Sequence, residues 1–317
     1  MITVEHLVKE FHVFERRGWL RRRTRLVRAV DGISFTITPG ELVGYLGPNG
    51  AGKSTTIKML TGILVPSAGV VQVNGRVPWR ERVAHVGRIG AVFGQRNTLW
   101  PDLPVADSFD LLRHIYHIPP DRYRANLQEF RDLLGLDDFM GFPVRTLSLG
   151  QRMRANLAAA WLHDPDIVFL DEPTIGLDVV AKEHIRAFLQ RVKLERGTTV
   201  ILTTHDLADV ERLCERVMMI DHGQLLFDGK LAELVERFGG ERELVVDFAE
   251  SYADVAVDGA TVTQREGLRA TYRFARAKIT ASELISRVSA RYRLRDLSVR
   301  EPEIEATIRR IYEQKLL

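Results

Sequence analysis

Cysteine is almost absent from this chain of 317 residues. The single Cys214 excludes an internal disulfide and fits a reducing compartment, and no metal-binding signature surrounds it. The fold must therefore be stabilised by apolar packing, for which a hydrophobic content of 45% is sufficient. We expect Cys214 to be buried and unreactive.

Long apolar segments and a secretory signal are absent as well. The longest stretch without a charged residue covers positions 59–75 and is interrupted by Pro66, Gln72 and Asn74. A helix needs about 20 apolar residues to span a bilayer, so the sequence predicts no membrane span, and we expect a cytoplasmic protein. Sustained heptads, which would indicate a long coiled coil, are not present either.

An excess of one sign of charge is confined to one segment. Seven arginines and one acid lie between Glu15 and Arg28, which gives this segment a charge of +6, whereas the whole chain carries +3. Such a segment is usually a solvated loop. The alternative is contact with anionic lipid headgroups or a membrane partner, with Trp19 and Leu20 as an interfacial anchor. Nucleic acid is disfavoured because no basic platform with interleaved aromatic residues accompanies the segment.

A phosphate-binding loop is the most informative feature that the chain does contain. Residues 47–55 fit the pattern G-x-x-x-x-G-K-[ST] and lie between an apolar strand and a helix. Glycines let consecutive backbone N–H groups close around phosphates at the positive end of that helix. Lys53 would reach the β- and γ-phosphates, and the Ser54 hydroxyl would ligate Mg²⁺. The predicted nucleoside triphosphate site consists of Gly47, Asn49, Gly50, Gly52, Lys53, Ser54 and Thr55.

A pair of carboxylates follows a second apolar strand, predicted at positions 166–170. Asp171 and Glu172 come directly after it, and ligands bind at the carboxyl ends of such strands. We expect Asp171 to hold Mg²⁺ and Glu172 to orient or deprotonate the attacking water.

Polar residues at three other element ends extend the candidate site. Ser148, Gly150 and Gln151 open an alanine-rich helix, whose hydroxyl and free N–H groups have nothing nearby in sequence to bind and would suit a phosphate from elsewhere. Gln95 and His205 each follow a predicted apolar strand. Either side chain could contact the terminal phosphate, its Mg²⁺ or the attacking water. Taken alone, a Gln or His at such a position is more often structural.

In this order, the motifs resemble the nucleotide-binding subunit of an ABC transporter over roughly residues 1–238. Pro173 and the run Gly176-Leu177-Asp178 extend the match. The resemblance implies an α/β fold, in which a P-loop ATPase domain contains an inserted helical subdomain at about 96–165. It also implies that the protein is an ATP hydrolase that uses ATP and Mg²⁺.

The resemblance further implies a head-to-tail homodimer that holds two ATP molecules between its subunits. Each ATP would lie between the phosphate loop of one copy and the residues Ser148, Gly150 and Gln151 of the other, with Asp178 at the interface. The implied catalytic residues are Glu172, Gln95 and His205, and the implied Mg²⁺ ligands are Ser54, Gln95 and Asp171.

Two positions depart from the family pattern. Leu149 stands where the signature usually has a second glycine, which we expect to affect affinity more than activity. The aromatic residue that stacks on adenine usually follows the first strand, and Phe11 is the best match. Phe14 and Trp19 are the alternatives, because an insertion follows Phe11.

A second, smaller domain is predicted over residues 239–317. Alternating apolar residues at 244–248 and 268–274 indicate strands, Thr280 would cap a helix, and Pro302 would open a final helix. This α+β domain carries no site motif, so a structural or dimer-supporting role is favoured over ligand sensing.

The match around residues 170–182 is most similar to ATPases of the daunorubicin-resistance and viologen-exporter kind. It implies a subunit on the cytoplasmic face of the plasma membrane that energises export, of a multidrug type, through separately encoded permease subunits. Residues 97–101 would line the groove that receives the permease. The alternatives are an importer ATPase and a soluble ABC ATPase that acts on ribosomes or DNA.

Overall fold

The computed structural model describes residues 1–17, 21–94, 96–204, 206–275, 278–301 and 304–314. Internal contacts divide the chain into two compact units, Met1–Gly229 and Lys230–Leu317. The sequence placed this division after residue 238, but the helix Leu231–Phe238 packs on the helix Ile304–Gln314 of the second unit. Within the described ranges, no helix is both long and apolar enough to cross a membrane.

A six-stranded sheet forms the centre of the first unit. From one edge to the other, its strands are β5 (Ile89–Phe93), β6 (Ile167–Asp171), β7 (Thr199–Thr203), β3 (Leu42–Leu46), β8 (Arg216–Asp221) and β9 (Gln224–Lys230). Neighbouring strands from β5 to β8 pair in parallel. Every residue of β3 and β7 is buried, as expected of parallel strands covered on both faces. The carboxyl ends of β3, β6 and β7 therefore meet at one edge of the sheet.

A three-stranded antiparallel sheet completes the strands of this unit, in the order β2 (Arg21–Ile37), β1 (Ile2–Arg17) and β4 (Ala68–Val73). β1 and β2 form a long hairpin, whose register runs from Ile2 opposite Ile37 to Arg17 opposite Arg21. The expectation of an inserted loop in the arginine-rich segment is therefore wrong for the described residues. Branched and aromatic side chains such as Phe11, Val13 and Val27 favour strands, and they carry the pairing out into this segment.

Seven α-helices are described in the first unit. They are α1 (Lys53–Leu60), α2 (Arg82–Val86), α3 (Val105–Ile115), α4 (Pro120–Leu134), α5 (Leu149–Trp161), α6 (Val179–Arg196) and α7 (Leu207–Leu213). Residues 96–165, all of which the structure describes, contain α3, α4, α5, two short 3₁₀-helices and no strand. The helical subdomain predicted there is confirmed.

The helices pack on one another and on the sheet through buried aromatic and small residues. Phe188 of α6 meets the rings of Phe130 and Trp161 edge to face, with centroid distances of 5.6 and 5.2 Å. Gly90 of β5 lies so close to α5 that an added Cβ would be 2.3 Å from the carbonyl oxygen of Ala160. A side chain at position 90 would thus force α5 away from the sheet.

Cys214 lies in the buried core of this unit, as expected from the sequence. Burial raises the pKa of its thiol to about 12, so the thiol stays protonated at neutral pH and is a poor nucleophile.

The second unit contains a four-stranded antiparallel sheet, in the order β11 (Thr261–Glu266), β12 (Arg269–Ala275), β10 (Glu241–Phe248) and β13 (Leu294–Arg300). Its helices are α8 (Leu231–Phe238), α9 (Ala281–Arg291) and α10 (Ile304–Gln314). Thr280 caps α9 as predicted, accepting a hydrogen bond from the N–H of Glu283 at 3.2 Å. Strand β11 was not predicted, because five of its six residues are polar.

Replacing Gly90 with Ala tests the contact between sheet and helix. We expect Gly90→Ala to lower the free energy of unfolding by about 1–3 kcal/mol, because the added methyl group overpacks the core. Gly141→Ala is the matched control, since a Cβ there would meet no atom within 4 Å. Urea denaturation measures both, and equal midpoints for the two variants would show that α5 can move away from β5 at little cost.

Candidate nucleotide site

The phosphate loop joins β3 to α1 and lies tightly against two other strands. A Cβ on Gly47 would be 2.3 Å from the carbonyl oxygen of Ile220 in β8. Gly52 has a φ of +113°, and a Cβ there would be 2.5 Å from the carbonyl oxygen of Ala29 in β2. Only glycine fits at either position without moving backbone. The loop path, and hence the direction of its N–H groups, is fixed from both sides.

Lys53, Ser54 and Thr55 form the first turn of α1. The Lys53 side chain is almost fully buried, and its Nζ donates to the carbonyl oxygens of Gly47 at 2.5 Å and Pro48 at 3.1 Å. Burial lowers the pKa of Lys53, and the negative charges of Glu172 and Asp171 oppose this shift. The loop that carries Lys53 follows β3, and Asp171 and Glu172 stand at the end of β6, so all three residues lie at the carboxyl edge of the sheet.

Thr203 of the neighbouring strand β7 holds the carboxylate of Asp171 and the backbone of Glu172. Thr203 donates its hydroxyl hydrogen to Asp171 Oδ1 at 2.6 Å. The N–H of Glu172 donates to the carbonyl oxygen of Thr203 at 2.9 Å and also to its hydroxyl oxygen at 3.1 Å. Glu172 has a φ of +55°, a left-handed conformation that is uncommon for any residue with a Cβ. The chain therefore turns sharply at Glu172, directly after the strand that delivers Asp171.

The oxygen donors at this edge fit a magnesium ion. Ser54 supplies a hydroxyl at the start of α1, and Asp171 supplies a carboxylate at the end of β6. Mg²⁺ prefers such oxygen ligands and keeps several waters of its own. The third predicted ligand, Gln95, lies outside the described residues.

Residues 148–151, the segment predicted to bind a phosphate from the other copy, form a capping box at the N-terminus of α5. The N–H of Gln151 donates to the Ser148 hydroxyl at 3.2 Å, and the N–H of Ser148 donates to the Gln151 side-chain oxygen at 2.9 Å. The expectation that the Ser148 hydroxyl has nothing nearby in sequence to bind is therefore wrong. The spacing Ser-x-x-Gln is itself the sequence pattern of a capping box, which would have indicated this contact. The N–H groups of Leu149 and Gly150, ahead of the first intrahelical bonds, still point out of the helix end.

The start of α6 adjoins this segment and carries Asp178. A Cβ on Gly150 would lie 3.1 Å from the Cβ of Ala181 in the first turn of α6. Asp178 caps this helix, and its Oδ1 accepts a hydrogen bond from the N–H of Ala181 at 2.7 Å. Beside it, Val179 and Val180 are 79% and 66% exposed. The start of α6 thus exposes a carboxylate with two apolar side chains beside it.

The structure describes only part of the positions predicted to contact adenine, and it does not describe His205. Phe11 is half-buried on β1, opposite Val27, and the Lys9 ammonium lies 5.1 Å from its ring centroid. Ala29, which adjoins the phosphate loop, lies on the same strand as Val27, so Phe11 stays a prediction for the adenine contact. Phe14 is also on β1, whereas Trp19 and His205 lie outside the described residues.

Comparisons with known proteins identify the family to which this chain belongs. A family profile described as "ABC transporter" matches residues 30–175. The chain is 36% identical over 236 residues to Nod factor export ATP-binding protein I of Ralstonia nicotianae, which covers 74% of this chain and 71% of that protein. It is 33% identical over 285 residues to linearmycin resistance ATP-binding protein LnrL of Bacillus subtilis, which covers 87% of this chain and 91% of that protein. The chain belongs to the ABC transporter family. It is an ABC-type ATPase.

A solved structure supports the same fold for this ABC ATPase. The dimeric post-hydrolysis state of the ATP-binding cassette MJ0796, bound to ADP and Pi, matches with a TM-score of 0.63 at 25% identity. The match covers 73% of this chain and 99% of that chain.

Lys53→Ala tests the phosphate contact predicted for this lysine. We expect the variant to bind ATP about 10- to 100-fold more weakly, because a hydrogen bond from a charged group contributes about 1.5–3 kcal/mol. Lys58→Ala on the same helix is the control and should bind as the wild type does. Titration with a fluorescent ATP analogue measures both dissociation constants. An unchanged affinity of Lys53→Ala would remove the lysine from phosphate binding.

Proposed function

We propose that this protein is the ATP-hydrolysing subunit of an exporter of the multidrug type. The observation that carries the proposal is the arrangement at the carboxyl edge of the sheet, where the phosphate loop with the buried Lys53 follows β3 and Asp171 and Glu172 stand at the end of β6. Phosphoryl transfer to water requires a cation that binds the phosphates, a carboxylate that holds Mg²⁺ and a second carboxylate that orients or deprotonates the water.

Each group of this edge has a separate task in the proposed mechanism. The loop N–H groups and Lys53 bind the phosphates. Ser54 and Asp171 would hold Mg²⁺, which when bound would neutralise charge on the phosphate oxygens. Glu172 accepts a proton from the attacking water. Thr203 keeps Asp171 in place through its hydroxyl and fixes the turn at Glu172 through two hydrogen bonds. Gln95 and His205 are proposed to contact the γ-phosphate side of the site.

We propose a homodimer in which each copy completes the site of the other. The helix end at Ser148, Gly150 and Gln151 is prepared for an anion, since its cap is already formed and the N–H groups that remain point outward. Asp178 and its exposed apolar neighbours are proposed to lie at the interface between the copies. The dimeric state of the solved cassette with 25% identity supports this arrangement.

The names of the relatives support the proposed direction of transport and the proposed partners. One relative is named for Nod factor export and another for linearmycin resistance, which supports export through separately encoded permease subunits at the cytoplasmic face of the membrane. An importer remains the runner-up. The second unit, Lys230–Leu317, is proposed to have an accessory role in structure or dimerisation, and the groove for the permease is proposed at residues 97–101 of the first unit.

Glu172→Gln tests the proposed chemistry and the dimer together. We expect ATP hydrolysis to fall by about 10²- to 10⁴-fold, which is the usual contribution of a general base. ATP binding should persist, because the phosphate loop is unchanged, and the variant should collect as an ATP-bound dimer on size exclusion. A phosphate-release assay measures the rate. Wild-type turnover would exclude Glu172 as the base, and a monomer with ATP bound would argue against the shared site.

Replacing five arginines of the hairpin tests contact with anionic lipid. We expect serine at positions 16, 17, 21, 22 and 23 to abolish flotation with anionic liposomes, because each Arg near such a surface contributes about 1 kcal/mol. Wild-type flotation should weaken as salt is added. The control carries lysine at the same positions, which preserves the charge and should float normally. Basal ATPase should be unchanged in both variants. Equal flotation of the serine variant at low salt would assign the segment to solvent.

A further inference from the structure

A buried network of charged side chains lies beside the carboxyl edge of the six-stranded sheet, where the nucleotide is proposed to bind. The proposed mechanism does not use this network. Asp209 of α7 is fully buried, and Arg186 of α6 is 8% exposed. Nε of Arg186 donates to Asp209 Oδ1 at 2.5 Å. Neither residue stands in a motif of the sequence, although Arg186 interrupts an otherwise apolar buried face of α6 with Ile185 and Leu189.

The Asp209 carboxylate also binds the two segments that carry the proposed reacting groups. The Thr174 hydroxyl, 3% exposed, donates to Asp209 Oδ2 at 2.6 Å. Thr174 is two residues beyond Glu172 and four before Asp178. The Thr204 hydroxyl lies 3.5 Å from the same Oδ2. Thr204 immediately precedes His205. One carboxylate thus contacts the chain after β6 and the chain after β7.

Asp206 continues the network on the other side of position 205. Lys182 of α6 pairs with Asp206 Oδ2 at 2.5 Å, and Arg186 approaches the same oxygen at 3.6 Å. The N–H of Asp206 donates to the Thr204 hydroxyl at 3.0 Å. Burial by itself raises the pKa of Asp206, but the hydrogen bond and charge of Lys182, with the charge of Arg186, outweigh it and lower the pKa. Asp206 therefore contacts α6 directly, and Thr204 is linked to α6 through Asp209 and Arg186.

The energetics favour a role in geometry over a role in stability. Removing two charges from water is costly, and apolar side chains of similar volume often stabilise a core at least as well. A buried ion pair with satisfied hydrogen bonds instead fixes the orientation of each group that it contacts. In this network the fixed partners are the helix that Asp178 caps, the Thr174 segment and the Thr204 segment.

We propose that Asp209 and Arg186 are positioning residues for ATP hydrolysis. They hold the segment from Glu172 to Asp178 and the chain around His205 as one unit, so that both segments keep their place relative to the phosphates. The inference rests on the proposed function, which assigns Glu172 and His205 their roles. Neither Asp209 nor Arg186 contacts nucleotide in this proposal.

Single substitutions separate the network from nucleotide binding. We expect Asp209→Asn and Thr174→Val to lower kcat about 10- to 100-fold, since small displacements of reacting groups have effects of this size. The Kd of a fluorescent ATP analogue should change less than about threefold, because binding resides in the loop. Thr199→Val is the matched control, because Thr199 is also a buried threonine, 1% exposed, but it begins β7, at the end away from the nucleotide site. Its hydroxyl accepts a hydrogen bond from the N–H of Gly40. Its kcat should match the wild type.

A double substitution separates positioning from stability. Arg186→Met with Asp209→Leu replaces the pair by apolar side chains, and we expect its Tm to be near or above that of the wild type while kcat stays low. Wild-type kcat in the double variant, or in a folded Thr174→Val, would overturn the inference. If Asp209→Asn does not fold, Thr174→Val and the double variant still decide.

Glu172→Gln measured in parallel keeps the two proposals apart. If Glu172→Gln hydrolyses ATP at the wild-type rate, the proposed site assignment fails, whatever the network variants show. If Glu172→Gln is inactive and the network variants have wild-type kcat, only the positioning role fails. Low kcat with unchanged Kd in the network variants, beside normal Thr199→Val, supports the positioning role.

Discussion

The geometry of the candidate nucleotide site depends on two glycines, which have no Cβ atom. Gly47 and Gly52 let the phosphate loop press against the carbonyl oxygens of Ile220 and Ala29, which belong to different sheets. A backbone clamped at both ends cannot shift without moving β8 or β2. The packing of the sheets therefore determines where Lys53 lies relative to Asp171 and Glu172 at the end of β6.

The turn after β6 shows how one hydroxyl organises a site. A left-handed residue with a Cβ costs about 1–3 kcal/mol and persists only where surrounding contacts determine it. At Glu172 those contacts come from Thr203. Its carbonyl oxygen and its hydroxyl oxygen both accept from the Glu172 N–H, and its hydroxyl donates to Asp171. Glycine would relieve the strain but would remove the carboxylate. The strain is therefore tied to having the acid at this position.

The sequence predicted what is local and missed what is distant. Strand, loop and helix around Lys53 follow from pattern alone, because the motif specifies its own neighbours. The partnership of Thr203 with Asp171 joins residues 32 positions apart, and nothing in either strand indicates it. Asp209 was missed for the same reason, since its partners lie on three separate segments. The hairpin was not predicted, because a run of like charge is typical of a solvated loop, whereas only the branched and aromatic residues of β1 and β2 indicate strands.

The start of α6 has a consequence for the temperature dependence of assembly. Val179 and Val180 leave most of their surface in water beside the capping Asp178. A partner that covers them removes apolar area from water, and such association carries a negative change in heat capacity. The hydrophobic contribution weakens on cooling. The subunit is therefore expected to associate less readily in the cold, whichever surface covers these valines.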